Sequence, residues 1–155
     1  MQKNLYRPNV AAVIVSSDYP SKCKIFVAKR VDIPNAWQFP QGGIDDGEDE
    51  KTALLRELEE EIGTSQVEIV AQYPDWLSYD FPKKIKYKQS SYKGQTQKYF
   101  LVRLKDDSLV NVNTKKPEFL EYKFVSLKEV LSMVSHFKKP TYEKVLKYFE
   151  ENGYL

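Results

Sequence analysis

An α+β fold, in which helices cover both faces of a mixed β-sheet as an α/β/α sandwich, is what this 155-residue sequence predicts. Three observations predict it: one long helical pattern in the first half, a β-rich middle, and two helical segments near the end. Tyr6–Val15 closes on an apolar run of strand length, and residues 24–30 form a second strand candidate after the Asp18-Tyr19-Pro20-Ser21 turn signals. These two are expected to pair as a hairpin. Residues 36–40 form a short extended piece ended by Pro40 and by Gly42-Gly43, whose freedom at positive φ would allow a tight backbone loop. Residues 47–62 carry Ala53, Leu54, Leu55, Leu58 and Ile62 at helical spacing, and Gly63 follows as a stop signal. Residues 67–73, 76–81, 86–92 and 97–104 read as strands, punctuated by Pro74, Pro82 and Lys93-Gly94. Phe119–Val125 reads as a last strand, 127–134 as a short helix, and 141–151 as a helix with Pro140 near its first turn. Residues 1–155 are expected to form a single domain, without repeats or linkers.

Composition removes several classes of function. A lone Cys23 supports neither a disulfide framework nor a thiolate metal site, so the cytoplasm is the expected compartment. The apolar run from Val10 to Val15 is far short of the roughly 20 residues a spanning helix needs. Eleven Tyr, eight Phe and two Trp are too many aromatics for a disordered chain. The formal charge of +2 hides an uneven distribution. Residues 45–61 hold nine acids against Lys51 and Arg56, a local balance of −7 that leaves the remainder at +9. Residues 81–105 contain no acid and eight bases: Lys83, Lys84, Lys86, Lys88, Lys93, Lys98, Arg103 and Lys105. Acids that hold a metal beside bases that hold phosphates would suit a cation-dependent site for polyanions; ordinary solvated faces are the alternative.

In Arg56-Glu57-Leu58-Glu59-Glu60-Glu61-Ile62-Gly63, the acids Glu57, Glu60 and Glu61 stand at i, i+3 and i+4 and share one helical face. Like charges at that spacing oppose the helix, and the last turn is where the helix dipole prefers cations. A hard cation would reverse the repulsion, since Mg²⁺ is commonly held by one or two carboxylates together with substrate phosphates. An acidic solvent-facing helix compensated by Arg56 and more distant lysines is equally compatible with these residues alone.

Wider spacing separates the two. Gly42, five residues, Glu48, seven residues, Arg56-Glu57-Leu58, one residue, Glu60-Glu61, one residue and Gly63 match the Nudix box, G-x5-E-x7-R-E-U-x-E-E-x-G-U, over 23 residues. Thr64 alone departs, where an aliphatic residue is usual. The sequence is therefore identified as resembling the Nudix hydrolases. The resemblance implies Mg²⁺-dependent hydrolysis of phosphoanhydrides, with Mn²⁺ able to substitute. It implies metal ligation by the Gly42 loop and by Glu57, Glu60 and Glu61, one of which deprotonates or orients the attacking water. Arg56 joins the catalytic group and pairs with Glu48 in a salt bridge that fixes loop to helix, while Gly43 and Gly63 serve the backbone.

Beyond the box, Tyr6-Arg7-Pro8-Asn9-Val10, Trp37-Gln38-Phe39-Pro40-Gln41, Gly94-Gln95, Gln97-Lys98, Pro117-Glu118-Phe119 and Phe137-Lys138-Lys139 resemble the bacterial RNA pyrophosphohydrolases, which overlap in sequence with dinucleoside polyphosphate hydrolases. That resemblance implies removal of pyrophosphate from 5′-triphosphate RNA, or action on its diphosphate form, leaving a 5′-monophosphate and promoting mRNA decay. Diadenosine tetraphosphate hydrolysis is the alternative, and a non-catalytic RNA-binding module the second alternative. Glu118 is implied as a further metal ligand, and Arg7, Lys29 and Lys138 as phosphate contacts. Lys98 is grouped with the substrate-binding bases, and Tyr79 and Phe137 are candidates to stack a base. Trp37 is read as core support and His136 as a surface residue. The expected partner is 5′-phosphorylated RNA or a nucleoside polyphosphate, with no DNA and no membrane.

Overall fold

The computed structural model describes residues 5–82, 92–134 and 137–155. The strand expected over 86–92 lies outside them save for Tyr92, as do Lys83, Lys84, Lys86 and Lys88 of the basic tract and His136. In chain order the elements are β1 (Tyr6–Val15), β2 (Ile25–Arg30), β3 (Trp37–Gln38), β4 (Gln41–Gly43), α1 (Glu50–Ile62), β5 (Val67–Gln72), β6 (Leu77–Asp80), β7 (Gly94–Leu104), β8 (Phe119–Val125), α2 (Leu127–Met133) and α3 (Lys139–Glu151).

An apolar run with no polar alternation belongs to a strand buried on both sides, and β1 is that strand. Val10, Ala12 and Ile14 enter a core with Phe26, Val102 and Leu54, Leu58 and Ile62 of α1. Ala11, Val13 and Val15 enter another with Val27, Leu101 and Tyr142, Val145 and Phe149 of α3. Helices thus cover both faces of one mixed sheet. β1 runs parallel to β7 from Tyr6↔Gly94 to Val15↔Arg103, while β4 pairs antiparallel with β1 at Asn9, Val10 and Ala11. The hairpin of β1 with β2 is narrower than expected, meeting at Val15↔Ile25, and the main partner of β2 is β8. β5 and β6 both pair antiparallel with β7. Trp37 is partly buried against the α3-side core.

Helix α1 starts at Glu50 rather than at residue 47. Gly47 sits at φ 82°, and Asp49 caps the helix by accepting the Thr52 N–H at 2.7 Å. Gly63 ends it in the left-handed region at φ 79°, donating its N–H to Glu59 O at 3.2 Å. Thr64 is buried, and its hydroxyl accepts the Gln66 N–H at 3.0 Å, so the polar substitution leaves no unsatisfied group there. Helix α3 begins at Lys139 with Pro140 in its first turn.

Candidate active site

The last turn of α1 carries Glu59, Glu60 and Glu61 and no base, a helix end loaded against its own dipole. That turn forms one wall of a cleft of about 750 Å³. β4 and the floor strands contribute Gln41, Gly42, Gly43, Arg7, Asn9 and Gln95; the chain before β8 adds Thr114, Lys115, Lys116 and Glu118; Arg30 and Gln38 complete the far side. Glu57, Glu60, Glu61 and Glu118 are therefore brought to one cavity from positions far apart in sequence.

Gly42 and Gly43 lie within strand β4, and neither takes a positive φ. The expected tight glycine loop is replaced by a different requirement, which is space. A Cβ on Gly42 would overlap the Glu57 carboxylate, and one on Gly43 would overlap the Arg7 guanidinium. Arg56 is the tie between loop and helix. Its Nε donates to Glu48 Oε2 at 2.7 Å and its Nη2 to Glu48 Oε1 at 2.9 Å and to Gly43 O at 2.9 Å. Its Nη1 reaches Glu57 at 2.9 Å and Glu60 at 3.3 Å. Both oxygens of Glu48 are thus engaged by one guanidinium, which holds the Glu48 carboxyl down at about 2.

Glu61 is 5% exposed, and burial pushes its carboxyl well above the usual carboxylate range, with the charges of Glu57 and Glu118 adding to the effect. Glu57 is also raised, first by burial and against the pull of Arg56. The two carboxyl groups each raise the cost of charging the other, so the pair is poorly suited to two uncompensated negative charges. Glu61 Oε1 is buried without a partner among the described residues. An orphaned carboxylate oxygen among like charges is a position that a divalent cation fits. Among the described residues no ready-made cage of three such ligands exists, and Arg56 holds Glu57 and Glu60 meanwhile.

Other residues singled out in the sequence fall in two places. Arg7 lines the cleft beside Gly43. Lys29 does not line it; its neighbour Arg30 does, because successive strand residues face opposite ways and the β2–β8 register shifts between these two residues. Arg30 donates to Asp32 Oδ1 at 2.7 Å and to Gln38 at 3.5 Å. Lys98 also lies off the cleft, donating to Pro74 O at 3.3 Å. Lys93, Arg103 and Lys105 of the basic tract are likewise not cleft residues; Arg103 donates to Ser17 O at 2.7 Å. Tyr79, Phe137 and Lys138 form a group of their own outside the lining. The rings of Tyr79 and Phe137 are 5.4 Å apart, and Lys138 Nζ stands 5.7 Å over the Tyr79 ring. The Tyr79 hydroxyl donates to Gln95 Oε1, which connects this group to the cleft floor. Lys138 is buried rather than solvated, and burial lowers its ammonium to about 7.

The floor itself was not assigned a role by the sequence. Gln97 Nε2 donates to Asn9 Oδ1 at 2.8 Å and to Gln41 Oε1, and the Tyr99 hydroxyl donates to Gln97 Oε1 at 2.7 Å. The available signal is the presence of amides at positions 9, 95 and 97 next to the apolar runs of β1 and β7, since a buried amide needs a partner network.

Comparison with known proteins agrees with this geometry. The family model described as NUDIX domain matches residues 5–149. A Campylobacter jejuni protein (strain 81-176) named RNA pyrophosphohydrolase is 64% identical over 154 residues, covering 99% of this chain and 98% of that protein. A Nitratiruptor sp. protein of the same name is 58% identical over 155 residues and all of both chains. Among solved structures, a Caenorhabditis elegans Ap4A hydrolase binary complex superposes with a TM-score of 0.70 at 21% identity, over 94% of this chain and 98% of that one. It is similar in fold.

Proposed function

The chain belongs to the Nudix family, and from that premise we propose that it is an RNA pyrophosphohydrolase, converting 5′-triphosphate or 5′-diphosphate RNA ends to 5′-monophosphates and so promoting mRNA decay. What carries the reading is end-to-end identity of 58–64% with proteins of that name, on a chain in which Glu57, Glu60, Glu61 and Glu118 share one cleft with basic side chains. Glu57, Glu60, Glu61, Glu118 and the Gly42 backbone would hold Mg²⁺, for which Mn²⁺ can substitute. When bound, the cation neutralises phosphate oxygens and makes water a better nucleophile at neutral pH. The chain's own groups do the remainder. Arg56 holds Glu57 and Glu60 in place and, through Glu48 and Gly43, fixes β4 against α1. Arg7 binds phosphate beside Gly43, and one carboxylate of the Glu57, Glu60 and Glu61 set accepts the proton of the attacking water. Lys29, Lys98 and Lys138 remain phosphate contacts in this reading only for a substrate that extends beyond the cleft, and Tyr79 with Phe137 would stack a base there.

The same reading takes residues 1–155 as one domain that supplies both chemistry and RNA recognition, working in the cytoplasm. No helix among the described residues is long and apolar enough to cross a membrane. The test is turnover of 5′-triphosphate RNA and of diadenosine tetraphosphate at equal concentration with Mg²⁺, by the wild type and by Glu57→Gln. Faster turnover of RNA by the wild type, lost in the variant, is expected. Preference for the dinucleotide reverses the substrate assignment, and equal inactivity of both proteins on both substrates overturns both assignments and favours the non-catalytic module.

A further inference from the structure

The segment before β8 carries two lysines with no part in the box and no role in the reading above. Val110 and Val112 are buried against the α1-side core, and the Asn111 N–H donates to Ile62 O at 2.8 Å. Gly63 makes that approach possible, because a Cβ there would stand 2.8 Å from Asn111 O. At the other end, Glu118 O accepts the Val31 N–H at 3.0 Å and Phe119 is buried. The segment is therefore pinned on both sides and held across the end of α1. Between the pins, Thr114, Lys115 and Lys116 line the cleft together with Glu59, Glu60 and Glu61.

Two observations indicate a ligand for this rim. The Thr114 hydroxyl oxygen is buried and has no hydrogen-bond partner among the described residues. Lys115 and Lys116 are exposed and enter no ion pair among the described residues, although five glutamates line the same cleft. Their charges are thus not spent on neutralising the acids. The sheet floor opposite, with Asn9, Gln38, Gln41 and Gln95, offers neutral amides suited to a nucleoside. Mobile ammonium point charges suit the terminal phosphates, which carry most of the charge and must leave after hydrolysis.

We propose that Thr114, Lys115 and Lys116 bind the terminal phosphates of the 5′ end and so set the preference between triphosphate and diphosphate ends; this rests on the RNA pyrophosphohydrolase reading. The experiment compares wild type, the double variant Lys115→Ala/Lys116→Ala and Thr114→Val. It measures kcat/KM on 5′-triphosphate and 5′-diphosphate RNA of one sequence, inhibition by inorganic pyrophosphate, and pyrophosphate binding by calorimetry. In the double variant, turnover of the triphosphate end is expected to fall about tenfold and that of the diphosphate end by less. Pyrophosphate inhibition should weaken by about tenfold, with unchanged melting temperature. Thr114→Val should weaken pyrophosphate binding in the same direction. Unchanged pyrophosphate binding and an unchanged ratio between the two RNAs overturn the proposal. A wild type inactive on both RNAs refutes the enzymatic reading instead, and calorimetry then still reports on the rim: pyrophosphate binding that the lysines control supports it, and binding that they do not control overturns it.

Discussion

Replacing Gly42 by Ala should separate catalysis from stability. The added methyl lands on the Glu57 carboxylate, and that carboxylate is the far end of a flexible side chain, so the protein yields by swinging Glu57 away. To reach an ordinary contact of about 3.5 Å the carboxylate must retreat by more than about 1 Å. The retreat loosens the 2.9 Å contact with Arg56, a partly exposed ion pair worth about 0.2–1 kcal/mol. Stability should therefore fall by about 1 kcal/mol or less, or about 2–4 °C in melting temperature. Activity should fall by about 100-fold, because a ligand or base displaced by about 1 Å loses that much through misplacement alone. Gly47→Ala is the control. It meets nothing within 4 Å but sits at φ 82°, so it should cost about 1–2 kcal/mol of backbone strain with kcat unchanged. The assay is pyrophosphate release from 5′-triphosphate RNA at saturating substrate, with thermal melts of the same preparations. Gly42→Ala retaining kcat within about threefold of wild type would falsify the assignment of Glu57 to its position against Gly42.

Arg56→Lys removes the fork that holds both Glu48 oxygens and Gly43 O; a loss of about 1–2 kcal/mol and at least tenfold in kcat is expected, and wild-type kinetics would contradict the role of Arg56 as a tie. Glu48 is held at about 2 against an ordinary 4.5, so its stabilisation is present above pH 4.5 and is lost as pH falls from 4.5 to 2. Denaturation midpoints of Glu48→Gln should therefore approach those of the wild type across that window, and a constant difference speaks against the linkage. Lys138 is lowered to about 7 from 10.5, so the cost of its buried charge is complete below pH 7 and eases as pH rises to 10.5. Lys138→Met should be the more stable protein at pH 6, by on the order of 1–4 kcal/mol, and the advantage should shrink toward pH 10; a pH-independent difference refutes it.

The central strand and the end of α1 were legible because each is written locally, in the unbroken apolar run to Val15 and in Ile62 followed by Gly63. Helical spacing puts Glu57, Glu60 and Glu61 on one face, and the wider spacing from Gly42 to Gly63 is what distinguishes that face from an ordinary solvated one. β4 is not legible as a strand, since a three-residue strand of Gln-Gly-Gly has no side-chain period and takes its form from pairing with Asn9, Val10 and Ala11. Lys29 enters only through the resemblance, and that Arg30 rather than Lys29 lines the cleft is not legible locally, because it depends on pairing with β8, some ninety residues away. For the basic tract of residues 81–105, charge density leaves a phosphate-holding surface and ordinary solvated faces both open, because it says nothing about direction. Arg103 turns to backbone carbonyls, while the basic wall of the cleft is Arg7, Arg30, Lys115 and Lys116.

The parallel register of β1 with β7 bears on how the site comes into being. Helix α1 can form from near neighbours, but Tyr6 meets Gly94 only after the intervening chain closes on itself, an entropic cost incurred before the pairing returns any contacts. Until then Arg7 and Gln95 have no common surface, and the acids of α1 have no facing cleft. A half-folded chain therefore carries the full Nudix box with nothing to act upon. Any cation or polyanion gathered by the finished cleft favours the closed strand pair over every earlier stage, so ligand binding and completion of the sheet reinforce one another.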